Sequence, residues 1–176
     1  MLSLAHRLES VVRGTGRVIA ILSFFMVVLT SIIVVERYWF DTGSISLQET
    51  VTFMHAALLM LTAGYTLAAG DHVRVDIFYS QMSAKKQALV DLLGTWLLLL
   101  PFCGFLIWSS WDYVSISWQI REASQEAGGL PFPFPAVMKS FIPLTGLLLI
   151  AQGAVIMLRS VATLRAEDTD RGPGER

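Results

Sequence analysis

Residues 92–111 read LLGTWLLLLPFCGFLIWSSW, twenty residues without a charge. A helix rises 1.5 Å per residue, so about 20 apolar residues cross a hydrocarbon core about 30 Å thick. Working outward, three more runs lack Asp, Glu, Lys and Arg: 18–35, 50–70 and 140–158, of 18, 21 and 19 residues. The second is interrupted only by His55. In lipid every backbone N–H and C=O has to be satisfied within the protein, which makes spans of this length helices. The expected fold is an all-α integral membrane protein with four transmembrane helices. They run over about 18–35, 50–70, 92–111 and 140–158 within a membrane domain of 18–158, with a lead over 1–17 and a tail over 159–176.

Composition agrees. Of 176 residues, 54% are hydrophobic and 15% charged, with a mean hydropathy of +0.59. Soluble domains carry about 25% charge, and disordered chains are polar and charge-rich. A net charge of -1 gives no overall basic excess for nucleic acid. One cysteine, Cys103, rules out an internal disulfide framework and a cysteine-based zinc site. The first run is long for a signal peptide, and Glu36-Arg37-Tyr38-Trp39 follows it in place of a small-x-small cleavage site, so it reads as a retained helix. Leu2 follows the initiator, which excludes the myristoylation signal.

The Lys and Arg residues orient the spans. The lead, the 71–91 connection and the tail hold ten; the 36–49 and 112–139 connections hold three. Both termini are therefore expected in the cytoplasm. Trp39, Trp108, Trp111 and Trp118 then lie at the outer interface and Trp96 near the inner one.

The connections carry local signals. Leu4, Leu8 and Val11 recur at i, i+4, i+7, as in a short interfacial helix that Gly14 and Gly16 would end; an irregular lead is the equal alternative. Ser46-Leu47-Gln48-Glu49 fits a capping box that starts the second helix, which gives Glu49 a structural job ahead of any partner contact. Asp71-His72-Val73-Arg74-Val75-Asp76 reads as an interfacial loop, and Ser83 as the N-cap of the third helix. Trp108, Trp111, Ser115 and Trp118 extend helical spacing beyond the third span, and Pro101 is expected to kink it. Gln125 to Gly129 reads as a break. Leu130-Pro131-Phe132-Pro133-Phe134-Pro135 reads as a stiff lead into the fourth helix. The tail interleaves acids and bases with few apolar groups and is expected to be disordered.

Chemistry is sparse. An ion-moving protein keeps an ionisable residue in its spans, and here only His55 qualifies, read as a packing residue. His72 and His6 lie too far from it to share a haem. Gln152, beside Gly153, is placed to hydrogen-bond to another helix. The sequence holds no nucleophile–base pair, phosphate loop or metal-ligand cluster, so the chain is read as no enzyme, without cofactor or metal.

Three stretches carry a family resemblance: Ser46-Leu47-Gln48-Glu49; Asp71 through Tyr79; and Glu122 to Pro131-Phe132, continuing through Lys139-Ser140-Phe141-Ile142-Pro143 to Gln152-Gly153. In order, spacing and four-span layout, over roughly residues 15 to 160, the chain resembles the small membrane subunit of tripartite ATP-independent periplasmic (TRAP) transporters. The resemblance implies a scaffold in a bacterial inner-membrane complex. Its implied partners are membrane lipid, a large membrane subunit with the substrate and sodium sites, and a periplasmic binding protein that delivers an organic anion. It names no contact residues. Glu49, Arg74, Asp76, Arg121 and Glu122 are the candidate polar contacts at the membrane rims. Two rivals fit less well. An autonomous four-span exporter relies on a membrane-embedded Glu, and a membrane-enzyme subunit needs cofactor ligands; the sequence provides neither.

Overall fold

The computed structural model describes the backbone of residues 2–69 and 79–170 and the side chains of 21–69 and 79–166. Every regular element among them is helical. The helices are α1 (Leu2–Trp39), α2 (Ile45–Ala69), α3 (Ala84–Gln119) and α4 (Phe134–Asp170). Each holds a segment long and apolar enough to cross a membrane, as the four uncharged runs predict.

Several boundaries differ from the sequence reading. α1 runs unbroken through Gly14 and Gly16, so the lead and the first span form one helix. A single glycine costs a helix interior only about 1 kcal/mol, which the apolar neighbours outweigh. α4 continues through 159–170, where an irregular tail was expected. Past the span these residues extend an existing helix, and propagation adds a hydrogen bond per residue without a new nucleus. α2 starts two residues early. Ser44 supplies the cap, accepting from the Leu47 N–H at 3.4 Å, and Ser46 lies inside the first turn. The capping box predicted for Ser46 and Glu49 does not form, which leaves Glu49 free for another partner. Ser83 does hold the N-cap position of α3, in an extended conformation, but its side chain makes no cap bond.

Ahead of Pro101 the helix takes a π-helical turn over Thr95–Leu99. Proline lacks the N–H that would bond the carbonyl four residues back. The turn widens just before it, and the Leu100 N–H donates to the Thr95 carbonyl, five residues back. The extra residue also keeps a stripe in phase. Small side chains are buried at Ala88, Thr95, Cys103, Ser110 and Ser117. Their spacing is seven residues except for eight between Thr95 and Cys103. In an unbroken α-helix eight residues overshoot two turns by about 80°. A π turn absorbs one residue and returns Cys103 to the face that Thr95 occupies.

That face meets α4. A Cβ at Gly146 would lie 2.8 Å from Ile107 Cγ1, and one at Gly153 would lie 2.9 Å from Leu99 Cδ2. Gly146, Gly153 and Ser160 are buried and seven residues apart, so two stripes of small residues lie against each other in antiparallel register. Small residues let helix backbones approach, which drives association where lipid removes the hydrophobic term. On its other side α4 runs parallel to α2. A Cβ at Gly64 would come within 3.1 Å of Leu148 Cβ, and Thr145 Oγ1 donates to the Met60 carbonyl at 3.0 Å. The fourth helix touches all three others, α3 has substantial contact with α4 alone, and α1 lies chiefly against α2.

Candidate functional site

The short α1–α2 connection and the longer α3–α4 connection lie at the same end of the bundle, and Glu49 ties α2 to the second. α3 stops there in a Schellman turn: the Glu122 N–H donates to the Ser117 carbonyl at 3.0 Å, and the Arg121 N–H to the Trp118 carbonyl at 3.3 Å. Arg121 takes the left-handed conformation, φ 50°, where glycine is usual. The chain then folds on itself. Ser124 N–H donates to the Leu130 carbonyl at 2.9 Å, and Gly128 has φ 84°.

Into this loop Glu49 projects its carboxylate. Oε1 accepts from the Ser124 hydroxyl, and Oε2 accepts from the Leu130 N–H at 2.6 Å. Ser124 Oγ in turn accepts from the Glu126 N–H at 3.1 Å. Only glycine fits at 129, because a Cβ there would lie 2.8 Å from Glu49 Oε2.

A second clamp lies beside the first. Glu122 pairs with Lys139 on α4, and the Lys139 ammonium sits 4.1 Å from the centre of the Tyr113 ring of α3. The hydrogen bond from Lys139 holds the Glu122 carboxyl below its ordinary value of 4.5. Trp118 Nε1 donates to Ser140 Oγ at 3.0 Å, and its ring meets Phe132 edge-on. Phe53 of α2 packs against Phe134 and Phe141 of α4. Glu49, Phe53, Tyr113, Glu122, Phe134 and Lys139 help to line an open pocket of about 350 Å³.

The arrangement is one of positioning. Charge-assisted bonds to both carboxylates fix three helix ends and the loop between them. Among the described residues no group of three or more His, Cys, Asp or Glu is placed to hold a metal.

The family model described as "Tripartite ATP-independent periplasmic transporters, DctQ component" matches residues 26–163. The chain belongs to the DctQ family. It is thus a small membrane component of a three-part transporter, a multi-pass membrane protein, as the resemblance implied. No curated protein and no solved structure matches it at a significant level.

In this DctQ-family chain the structure brings Glu49 and Glu122 to one pocket. Arg121 lies on the same turn with its side chain exposed, and its backbone conformation ends α3. Arg74 and Asp76 lie outside the described residues. His55, read as packing, is exposed on α2 and is not packed within its own chain. Sequence reasoning missed Ser124, Gly129, Leu130, Tyr113 and Lys139. The Gly128-Gly129 pair was the available signal, since such a pair marks backbone that has to turn or approach closely. Lys139 entered as a topology charge and within the family resemblance, not as a contact.

Proposed function

We propose that this chain is the scaffold of a sodium-coupled secondary importer of an organic anion, with a carboxylate as the expected class. In this reading it braces a large membrane subunit that carries substrate and sodium, and its Glu49–Glu122 end faces the periplasm, where a binding protein docks. Both termini lie in the cytoplasm of a bacterial inner-membrane complex. The family match from the first span into the last helix carries the reading. Two observations support it. The four uncharged runs hold no Asp, Glu, Lys or Arg for ion coupling, which favours a partner for that task. No residue in the apolar window Ile21–Trp39 of α1 is buried, so this helix offers a bare apolar surface to lipid or to a partner subunit.

Co-purification tests the proposal. The tagged full chain, solubilised in mild detergent, is expected to bring down a larger membrane protein, and its deletion to abolish uptake of one organic anion. A chain that is always alone, with uptake of every candidate anion intact after deletion, overturns it. Orientation has its own test. Reporters after Tyr79 and Leu164 are expected to read as cytoplasmic and one at Gly128 as periplasmic; a periplasmic signal after Tyr79 inverts the assignment.

A further inference from the structure

The outward side of α3 carries a groove of about 600 Å³ lined by Gly104, Ile107, Trp108, Ser109, Trp111 and Asp112. Its walls stand clear of the bundle: Trp108 is 78% exposed and Trp111 64%. Gly104 opens its floor, since nothing lies within 4 Å of a Cβ built there. The groove is graded along the helix. Gly104 and Ile107 lie within the uncharged run, the two tryptophans near its end, and Asp112 is the first charge beyond it. Gly104 to Asp112 is eight residues, a rise of about 12 Å.

Asp112 is exposed, and no cation among the described residues pairs with it; the ion pair at this end is Lys139–Glu122. An anion at the membrane interface beside two indole rings favours a cation. The carboxylate attracts it, the ring faces add cation–π attraction, and the indole N–H groups are donors for a phosphate.

The geometry points to a phospholipid with a primary ammonium headgroup, of the phosphatidylethanolamine type, as the occupant of the groove. One acyl chain fills the notch at Gly104 and Ile107, the phosphate lies level with Trp108 and Trp111, and the ammonium meets Asp112. A phospholipid has this same order of apolar chain, phosphate and cation over a comparable depth. A basic side chain of a partner protein would satisfy Asp112 but leave the notch below it unexplained. The inference rests on the membrane-spanning fold and is independent of the transported substrate and of which side α3 faces.

The test uses the full chain, purified alone and with its co-expressed transporter partners. Native mass spectrometry reads the lipid retained from mixed micelles holding equal phosphatidylethanolamine and phosphatidylglycerol. Wild type is expected to retain the ethanolamine lipid over the glycerol lipid by about threefold, the scale of one exposed ion pair. Asp112→Asn is expected to abolish that preference, and Gly104→Leu, whose Cβ enters open space, to lower retention of both lipids. Equal retention by wild type, or a preference that survives Asp112→Asn, overturns the assignment. So does retention by the chain alone that vanishes in the complex, which would show the face covered by protein.

Discussion

α1 and α4 are comparably apolar and almost equal in length, yet the bundle treats them oppositely. None of the apolar window of α1 is buried, against 28% of that of α4. In water this would be paradoxical, because apolar area removed from solvent drives burial. In lipid the acyl chains are as apolar as leucine, and hydropathy ceases to select the inside. Closeness of approach selects it. α4 carries Gly146, Gly153 and Ser160 at seven-residue spacing, and all three are buried. α1 carries Phe24, Phe25, Val27, Val28, Ile32, Val34 and Val35, all exposed. Bulky side chains hold a neighbouring backbone away, and small ones admit it.

The largest expected effect breaks that contrast from the α4 side. Gly153→Leu drives side-chain atoms into Leu99 and Thr95, and is expected to destabilise the chain by about 3 kcal/mol, the upper range for overpacking. The matching change in α1, Val27→Leu, should stay within about 0.5 kcal/mol. Thermal unfolding in detergent measures both, and the buried Cys103 thiol should become reactive at lower temperature only in the α4 variant. Equal effects in the two helices would sink the argument from small residues.

Next comes the clamp that ties α2 to the α3–α4 connection, for which α1 has no counterpart among the described contacts. Glu49→Ala removes the acceptor for the Leu130 N–H and the Ser124 hydroxyl. Faster hydrogen exchange at Leu130 and quicker proteolysis between 122 and 130 are expected, with exchange inside α1 unchanged. An unchanged loop would show that the backbone bonds of 124 and 130 suffice.

Acidification probes the neighbouring pair. The carboxyl of Glu122 is held below its ordinary value of 4.5 in the folded chain by Lys139. A depressed acid stabilises the fold above its unfolded value and loses that contribution as pH falls through the folded one. Protection of the Glu122 amide, relative to its intrinsic exchange rate at each pH, should therefore be flat from pH 8 to the unfolded value and fall only below it. Glu122→Gln should remove this acid step.

The smallest effect concerns Gln152, whose side-chain oxygen is buried without a hydrogen-bond partner among the described residues. Removing an unsatisfied polar group in favour of an apolar one of similar shape is close to neutral. Gln152→Met should leave the melting temperature unchanged or raise it slightly. A clear drop would show that Gln152 hydrogen-bonds to another helix, as its sequence context suggests.

Much of this molecule is legible residue by residue. The uncharged runs around Leu92–Trp111 and the other three spans set the number and type of elements, because a helix in lipid satisfies its backbone from its own segment. The prolines around 131–135 marked the entry to α4, and the tryptophans beyond 108 marked the extension of α3. Local rules misled where two of them competed. Ser46-Leu47-Gln48-Glu49 spells a capping box, but Ser44 lies two residues earlier and took the cap. Pro101 spells a kink but does not announce the π turn that precedes it over Thr95–Leu99.

The sequence by itself determined four apolar helices, the uneven distribution of charge among their connections, and enough family pattern to identify a transporter component. Only the tertiary structure decided which helix lies at the centre and what Glu49 does. The reason is distance along the chain. Glu49 meets Ser124 and Leu130 across 75 and 81 residues, and Gly146 meets Ile107 across two helices. A glycine stripe states that a backbone comes close, and a carboxylate at a helix start states that donors are wanted. Neither names its partner until the helices have packed.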